Sequence, residues 1–115
     1  MADSVFTRII NRELPSEILY EDEHCIAIRD IAPKAPIHLL IIPRKPIAKL
    51  SDASAEDLAL LGHLMLAASA VARQAGVEDA FRVIVNNGAG AGQTVFHLHL
   101  HLLAGKQFSE SQLGF

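Results

Sequence analysis

The chain has 115 residues, half of them hydrophobic and a fifth charged, with a formal net charge of −3. A chain of this length suggests one domain that buries roughly 65% of what its unfolded form exposes, with no need of a disulfide or a structural metal. The composition excludes a disordered chain, the charge excludes an electrostatic footprint for long nucleic acid or an anionic membrane, and the single cysteine, Cys25, excludes a disulfide framework and a multi-cysteine zinc site.

No repeat, linker or low-complexity tract divides the chain. The first residues show no basic start leading into a long apolar stretch, so no signal peptide is expected. Asp3 or Ser4 can cap a short helix, Val5 to Asn11, whose apolar side carries Val5, Phe6, Ile9 and Ile10. After Pro15, strands are predicted at Ile18 to Glu21 and Cys25 to Asp30, joined by Asp22-Glu23-His24 as a hairpin connection. Pro33 and Pro36 make Ile31 to Pro36 a loop. His38 to Ile42 is a third strand, ended by Pro43 and Pro46. Its apolar run, Leu39 to Pro43, is strand-sized, and nothing is expected to approach the ~18 residues of a membrane span.

Ser54, with Asp57 three residues later, resembles a capping box. The Ala- and Leu-rich segment Ala55 to Ala75 predicts one long helix, with Gly76 at the position of a C′ glycine. Leu58, Leu61, Met65, Ala68 and Ala72 fall on one stripe, and Leu60, Leu64 and Val71 widen it. Such a helix can lie across a sheet, and its width leaves open a second buried face against another subunit. Phe81 to Asn86 is a fourth strand, Asn87 to Gly92 a glycine-bearing turn, and Val95 to Leu103 a fifth strand with strict alternation. Hairpins with one long helix predict an antiparallel sheet in an α+β domain.

The chemistry concentrates in Phe96-His97-Leu98-His99-Leu100-His101-Leu102-Leu103. A strand has period two, so the histidines share one face and the leucines pack under the helix from the other. Successive histidines stand ~6.5–7 Å apart at the backbone. Solvent-facing strand positions ordinarily carry Lys, Glu, Thr or Ser, so three alternating imidazoles point to chemistry. A single metal ion is the weaker reading. His97 and His101 start ~13 Å apart, zinc–nitrogen bonds are only ~2.0–2.1 Å long, and no carboxylate or cysteine lies close in sequence to complete a shell. Covalent catalysis is the stronger one. A neutral imidazole is a nucleophile near neutral pH, and the central His99 is flanked on both sides by groups that can fix its tautomer. The preceding loop, Asn86-Asn87-Gly88-Ala89-Gly90-Ala91-Gly92-Gln93-Thr94, offers unobstructed backbone N–H groups that can cradle phosphate oxygens.

At these residues the chain resembles the histidine-triad (HIT) superfamily, whose signature is His-φ-His-φ-His-φ-φ. It is most similar to its Hint branch, the purine nucleoside phosphoramidases. The similarity spans nearly the whole chain as one domain, 1–115. It runs from Val5-Phe6 through Asp30-Ile31, Ala35-Pro36-Ile37-His38, Ile42-Pro43, Leu61-Gly62-His63-Leu64-Met65, Val85-Asn86 and Gly92-Gln93-Thr94-Val95 to Lys106. Only the tail 107–115 diverges.

The resemblance implies a five-stranded antiparallel sheet with one long and one short helix. It also implies a homodimer, formed through the long helix and fourth strand into a ten-stranded sheet. The implied activity is hydrolysis of the P–N bond of purine nucleoside 5′-phosphoramidates, releasing AMP or GMP from their conjugates through a nucleotidyl-histidine, with no cofactor or metal. A sister branch implies dinucleoside polyphosphate hydrolysis as the alternative, and a nucleotide-binding interaction module is a third.

Carried over by position, His99 is the nucleophile, and His101 contacts the phosphate and assists the leaving group. His97 and His38 hold the imidazole network. Asn86, Gln93 and Thr94, after Gly92, bind the phosphate and its leaving atom. Asp30 accepts the two ribose hydroxyls, and Val5, Phe6, Ile9, Ile28, Ile31 and Leu40 line the base slot. Thr94 stands where serine is common and keeps the hydroxyl, while Ile28 stands where some members carry an aromatic residue. His24 is expected in a turn, His63 in packing or an interface, and Cys25 as a buried hydrophobe. Arg44, Lys45 and Lys49 read as a solvated basic loop. A reduced, cytoplasmic setting is expected.

Overall fold

The computed structural model describes residues 4–112. Ser4 caps the first helix, α1 (Val5–Ile10), its hydroxyl accepting from the Thr7 N–H; the alternative cap, Asp3, lies outside the described residues. Strands β1 (Ile18–Glu21), β2 (Cys25–Arg29) and β3 (Ile37–Pro43) follow, then helix α2 (Leu58–Gln74), β4 (Phe81–Ile84) and β5 (Leu100–Ala104). The five strands form one sheet in the order β1-β2-β3-β5-β4, and every neighbouring pair is antiparallel. This is the expected α+β architecture.

Alternation along β2 and β3 sorts the apolar side chains between two layers. Cys25, Ala27, Leu39 and Ile41 join Leu98, Leu100, Leu102 and Ala104 beneath α2, against Leu64, Ala67, Ala68, Val71 and Ala72. Ile26, Ile28, Leu40 and Ile42 face the other way and pack under Phe6 and Ile9 of α1.

Several boundaries differ from the sequence reading. The Ser54–Asp57 capping box is present, but it opens a 3-10 turn (Ala55–Asp57), and the α-helix begins at Leu58. The helix ends as expected. Gly76 takes φ +77°, its N–H donates to the Arg73 carbonyl and the Val77 N–H to the Ala72 carbonyl, the paired bonds of a Schellman cap. The apolar stripe is rotated from the one anticipated: Ala68 and Ala72 are buried, whereas Leu58 and Met65 are exposed together with Leu66. With its opening turn, Ala55–Gln74 is long and apolar enough to match a membrane span by length and composition, at mean hydropathy 1.4. This corrects the expectation that nothing approaches a membrane span, because a polar residue such as His63 interrupts the run while the mean hydropathy stays high enough for a span; in the fold the segment carries the inner face of the α2 core.

The largest departure is β5. The strand predicted at Val95 to Leu103 is ladder-paired only from Leu100 to Ala104, and β4 stops at Ile84 rather than Asn86. The reason lies in β3, which ends at Pro43. The Pro43 carbonyl accepts from the His97 ring at 2.7 Å instead of from a backbone N–H. The Leu98 N–H passes beyond the strand to the Ile47 carbonyl at 2.7 Å. The side-chain alternation survives without the ladder, since Leu98 still joins Leu100 and Leu102 in the core.

Candidate active site

Each histidine of the 97–101 segment is held differently. His97 is buried, its Nε2–H donating to the Pro43 carbonyl. That fixes its Nδ1 as an acceptor, facing the hydroxyls of Ser4 at 3.0 Å and Thr7 at 3.2 Å. His97 therefore ties α1 to the end of β3. His99 donates from Nδ1–H to the His97 carbonyl at 2.7 Å. Its Nε2 is then the unprotonated nitrogen, on a ring that lines a cavity of about 880 Å³. Phe6 presses edge-on against that ring, with centroids 4.9 Å apart.

His101 and His38 form a second arrangement, built across the β3–β5 pair. The Lys34 backbone N–H donates to His38 Nδ1 at 3.0 Å, so neutral His38 carries its proton on Nε2. From there it donates to His101 Nδ1 at 2.9 Å, with Asp30 Oδ2 at 3.4 Å. Neutral His101 consequently holds its proton on Nε2. The His99 and His101 rings lie 5.0 Å apart. The site thus presents a lone pair on one imidazole beside an N–H on the next.

Burial keeps these rings neutral. It lowers the pKa of His38, where the Asp30 carboxylate opposes the shift and Lys34 adds to it. It also lowers His97 and His99, against the carbonyls that their rings contact. His101 is pushed furthest, to about 4, by burial and then by the neighbouring His99 and His38.

The cavity is lined by Val5, Phe6, Ile9, Ile28, Ile31 and Leu40, the apolar set named from the sequence. Asp30, Thr94, His99 and His101 line it as well. His97 and His38 stand behind the wall. Gln93 is buried, and its amide is engaged with backbone: Oε1 accepts from the Gly88 N–H, while Nε2 donates to the Ala48 and Val95 carbonyls. It pins the glycine-bearing loop. Gly92 in that loop has φ +97°, and a Cβ there would stand 4.0 Å from Asn86 Nδ2.

Sequence reasoning missed the rim formed by Leu14, Pro15, Ser16, Glu17, Arg29 and Pro33, and Val95 on the wall. The Pro15 punctuation was the available signal for the first four. Nothing local marked Arg29, which is aligned by Glu17 at 3.1 Å. Ser4 was legible as a cap, but its bond to His97 spans 93 positions. Arg44, Lys45 and Lys49, read as a solvated loop, pair with Glu21, Asp57 and Asp52.

The HIT domain family profile matches residues 11–108, which takes in this entire histidine arrangement. The chain belongs to the HIT family. An uncharacterized HIT-like protein of Synechocystis sp. is 56% identical over 107 residues, 93% of this chain and 94% of that one. A 14 kDa zinc-binding protein of Zea mays is 44% identical over 108 residues, 92% of this chain and 84% of that protein. The crystal structure of a HIT family hydrolase from Legionella pneumophila superposes with a TM-score of 0.91 at 39% identity, covering 94% of this chain and 97% of that one. In this HIT family hydrolase the His99 and His101 rings line the cavity, and His38 and Asp30 stand behind His101.

Proposed function

We propose that the protein is a purine nucleoside phosphoramidase of the Hint branch. It hydrolyses the P–N bond of conjugates such as adenylated amines to a nucleoside monophosphate and an amine. The observation that carries this reading is the pair of fixed tautomers: His99 offers Nε2 as a nucleophile, and His101 offers Nε2–H to the leaving nitrogen. In the first step His99 Nε2 bonds to phosphorus as the P–N bond breaks, and the amine leaves with a proton from His101. Water then attacks phosphorus and gives a proton back to His101 Nε2, the phosphorus–His99 bond breaks with its electron pair returning to Nε2, and the nucleotide departs. As an amine accepts a proton more readily than a phosphate oxygen does, a single imidazole donor suits a phosphoramidate best.

In this reading Asp30 accepts the two ribose hydroxyls, supported by the Ala32 N–H on its Oδ1 at 2.8 Å, which holds the carboxylate still. The apolar set from Val5 to Leu40 takes the purine, and the loop ending in Thr94 takes the phosphate. Two chains join through α2 and β4. Leu58, Met65 and Leu66 are exposed on α2, and β4 is a sheet edge able to continue into a ten-stranded sheet. The setting is the reduced cytoplasm.

The test is turnover of an adenosine 5′-phosphoramidate after chelator treatment, with wild type beside His99→Ala. The expected result is activity in the wild type and a loss of at least ~10³-fold in the variant, with AMP binding retained. Near-normal turnover in the variant would refute the mechanism. Activity only on dinucleoside polyphosphates would move the substrate to the sister branch.

A further inference from the structure

On the α2 side of the sheet, away from the cavity, Asp22, Cys25 and His63 bring a carboxylate, a thiol and an imidazole together from the β1–β2 turn, β2 and α2. Their ligand atoms all lie within 4.8 Å of one another. The Asp22 carboxylate is set by two backbone donors, the N–H groups of His24 at 2.8 Å and Cys25 at 2.9 Å, both on Oδ1. Oδ2 is thereby turned toward the side chains. It meets His63 Nε2 at 2.7 Å, the Tyr20 hydroxyl at 2.8 Å and Cys25 Sγ at 3.8 Å. The His24 ring lies 4.8 Å from that of His63.

We infer that Asp22, Cys25 and His63 form a site for a borderline-soft divalent cation of the zinc class. A tetrahedral ion with metal–ligand bonds of roughly 2.0–2.3 Å holds its donors roughly 3.3–3.7 Å apart. The 3.8 Å Asp22–Cys25 separation lies ~0.1 Å beyond that spacing, and the 2.7 Å Asp22–His63 hydrogen bond must open by ~0.6 Å to reach it. One sulfur, one imidazole nitrogen and one carboxylate oxygen select zinc, cobalt or copper over magnesium and calcium, which prefer oxygen alone.

The cation displaces the thiol proton, forming a metal–sulfur bond, and the proton goes to solvent. Burial, with Asp22 beside it, pushes that thiol up to about 12, so without a cation Cys25 stays protonated and inert. On Asp22 itself burial works against ionisation, yet the bonds from His24, Tyr20, His63 and Cys25 outweigh it and hold the carboxyl well below the usual range. A second cluster, Asp30, His38 and His101, is as closely grouped, but it has no sulfur and belongs to the imidazole arrangement of the cavity.

Cys25 is the chain's single cysteine, which makes the test specific. The metal-stripped full-length protein is titrated with Co²⁺ and read by absorption. The expected result is one equivalent per chain with a sulfur-to-cobalt charge-transfer band. That band disappears in Cys25→Ser, stays in His101→Gln, and needs at least ~10-fold more cobalt in His63→Gln. His63 is half-exposed on α2, so its variant reads the site even where the buried Cys25 substitution unfolds the chain. Cobalt binding without the charge-transfer band, no binding, or an undiminished band in His63→Gln would each overturn the assignment. The site stands apart from the phosphoramidase reading, since stripping its cation leaves the His99 chemistry in place.

Discussion

Beneath α2 the sheet is closed. Seventeen helical residues cover it, and the side chains that meet there, from Ala27 and Ile41 to Leu102, are almost wholly aliphatic. Across the sheet, α1 has only six residues and covers only part of the face. What it leaves open is the cavity, and the histidines of the signature segment stand at that wall and behind it. The same period-two alternation feeds both sides: Leu98, Leu100 and Leu102 toward α2, His97, His99 and His101 away from it. On one face burial serves stability. On the other it keeps imidazoles neutral and oriented, and acid tolerance suffers. Stability and chemistry can therefore be separated by mutation, strand position by strand position.

The largest effect on stability belongs to the closed face. Leu102→Ala removes a fully buried side chain and is expected to cost ~2–5 kcal/mol, read as a drop in the urea midpoint. The phosphoramidate kcat/KM of the remaining folded protein should stay within a few-fold. A comparable loss of turnover in the folded fraction would break the separation of the two faces.

Asp30→Asn acts on the open face. Removing the charge from the proposed ribose contact is expected to weaken transition-state binding by ~1.5–3 kcal/mol, on the order of 10- to 100-fold in kcat/KM. A 2′,3′-dideoxy substrate should erase most of the difference between wild type and variant. If the two changes simply multiply, Asp30 does not read the ribose.

Acid distinguishes the faces further. His38, His97, His99 and His101 all have lowered pKa values in the folded chain. Below about 6.5, the value of an unperturbed histidine, the unfolded chain takes up protons that the folded chain refuses. Stability should therefore fall as pH drops from there toward about 4, where His101 protonates. His101→Gln should shallow that fall in a comparison of urea midpoints at neutral and acid pH. An identical pH slope in the variant would mean that the burial of His101 is not felt as protonation.

The smallest effect is expected at the join between the faces. Ser4→Ala loses the N-cap of α1 and a hydroxyl partner of His97, for about 1 kcal/mol. Thr7, whose hydroxyl also reaches His97, should blunt the effect on catalysis. A double substitution of Ser4 and Thr7 that changes neither stability nor turnover would remove His97 as the tie between α1 and the site.

Much of this was legible in the sequence where local rules govern. The hairpin around Asp22, the capping box of Ser54 with Asp57, the Gly76 cap and the facing of the 97–102 alternation all follow from short-range chemistry, and all are present. The ladder assignment of Val95 to His99 failed because β3, far away in sequence, ends at a proline whose carbonyl is met by a side chain. The facing of α2 was rotated for a similar reason. Leu58 and Met65 are as apolar as Leu64, and only the sheet decides which of them it covers. The histidines were visible as candidates, but their tautomers rest on the Lys34 N–H and the His97 carbonyl, backbone groups that no residue pattern marks.

Everything proposed for the open face depends on His99 Nε2 attacking phosphorus. The decisive experiment is rapid acid-free quenching of the wild-type protein during turnover of an adenosine 5′-phosphoramidate, followed by peptide mass spectrometry. A transient adenylyl group is expected on the peptide containing His99, placed on that residue by fragmentation and absent from His99→Ala. Undiminished turnover with the adduct on another residue would contradict the mechanism.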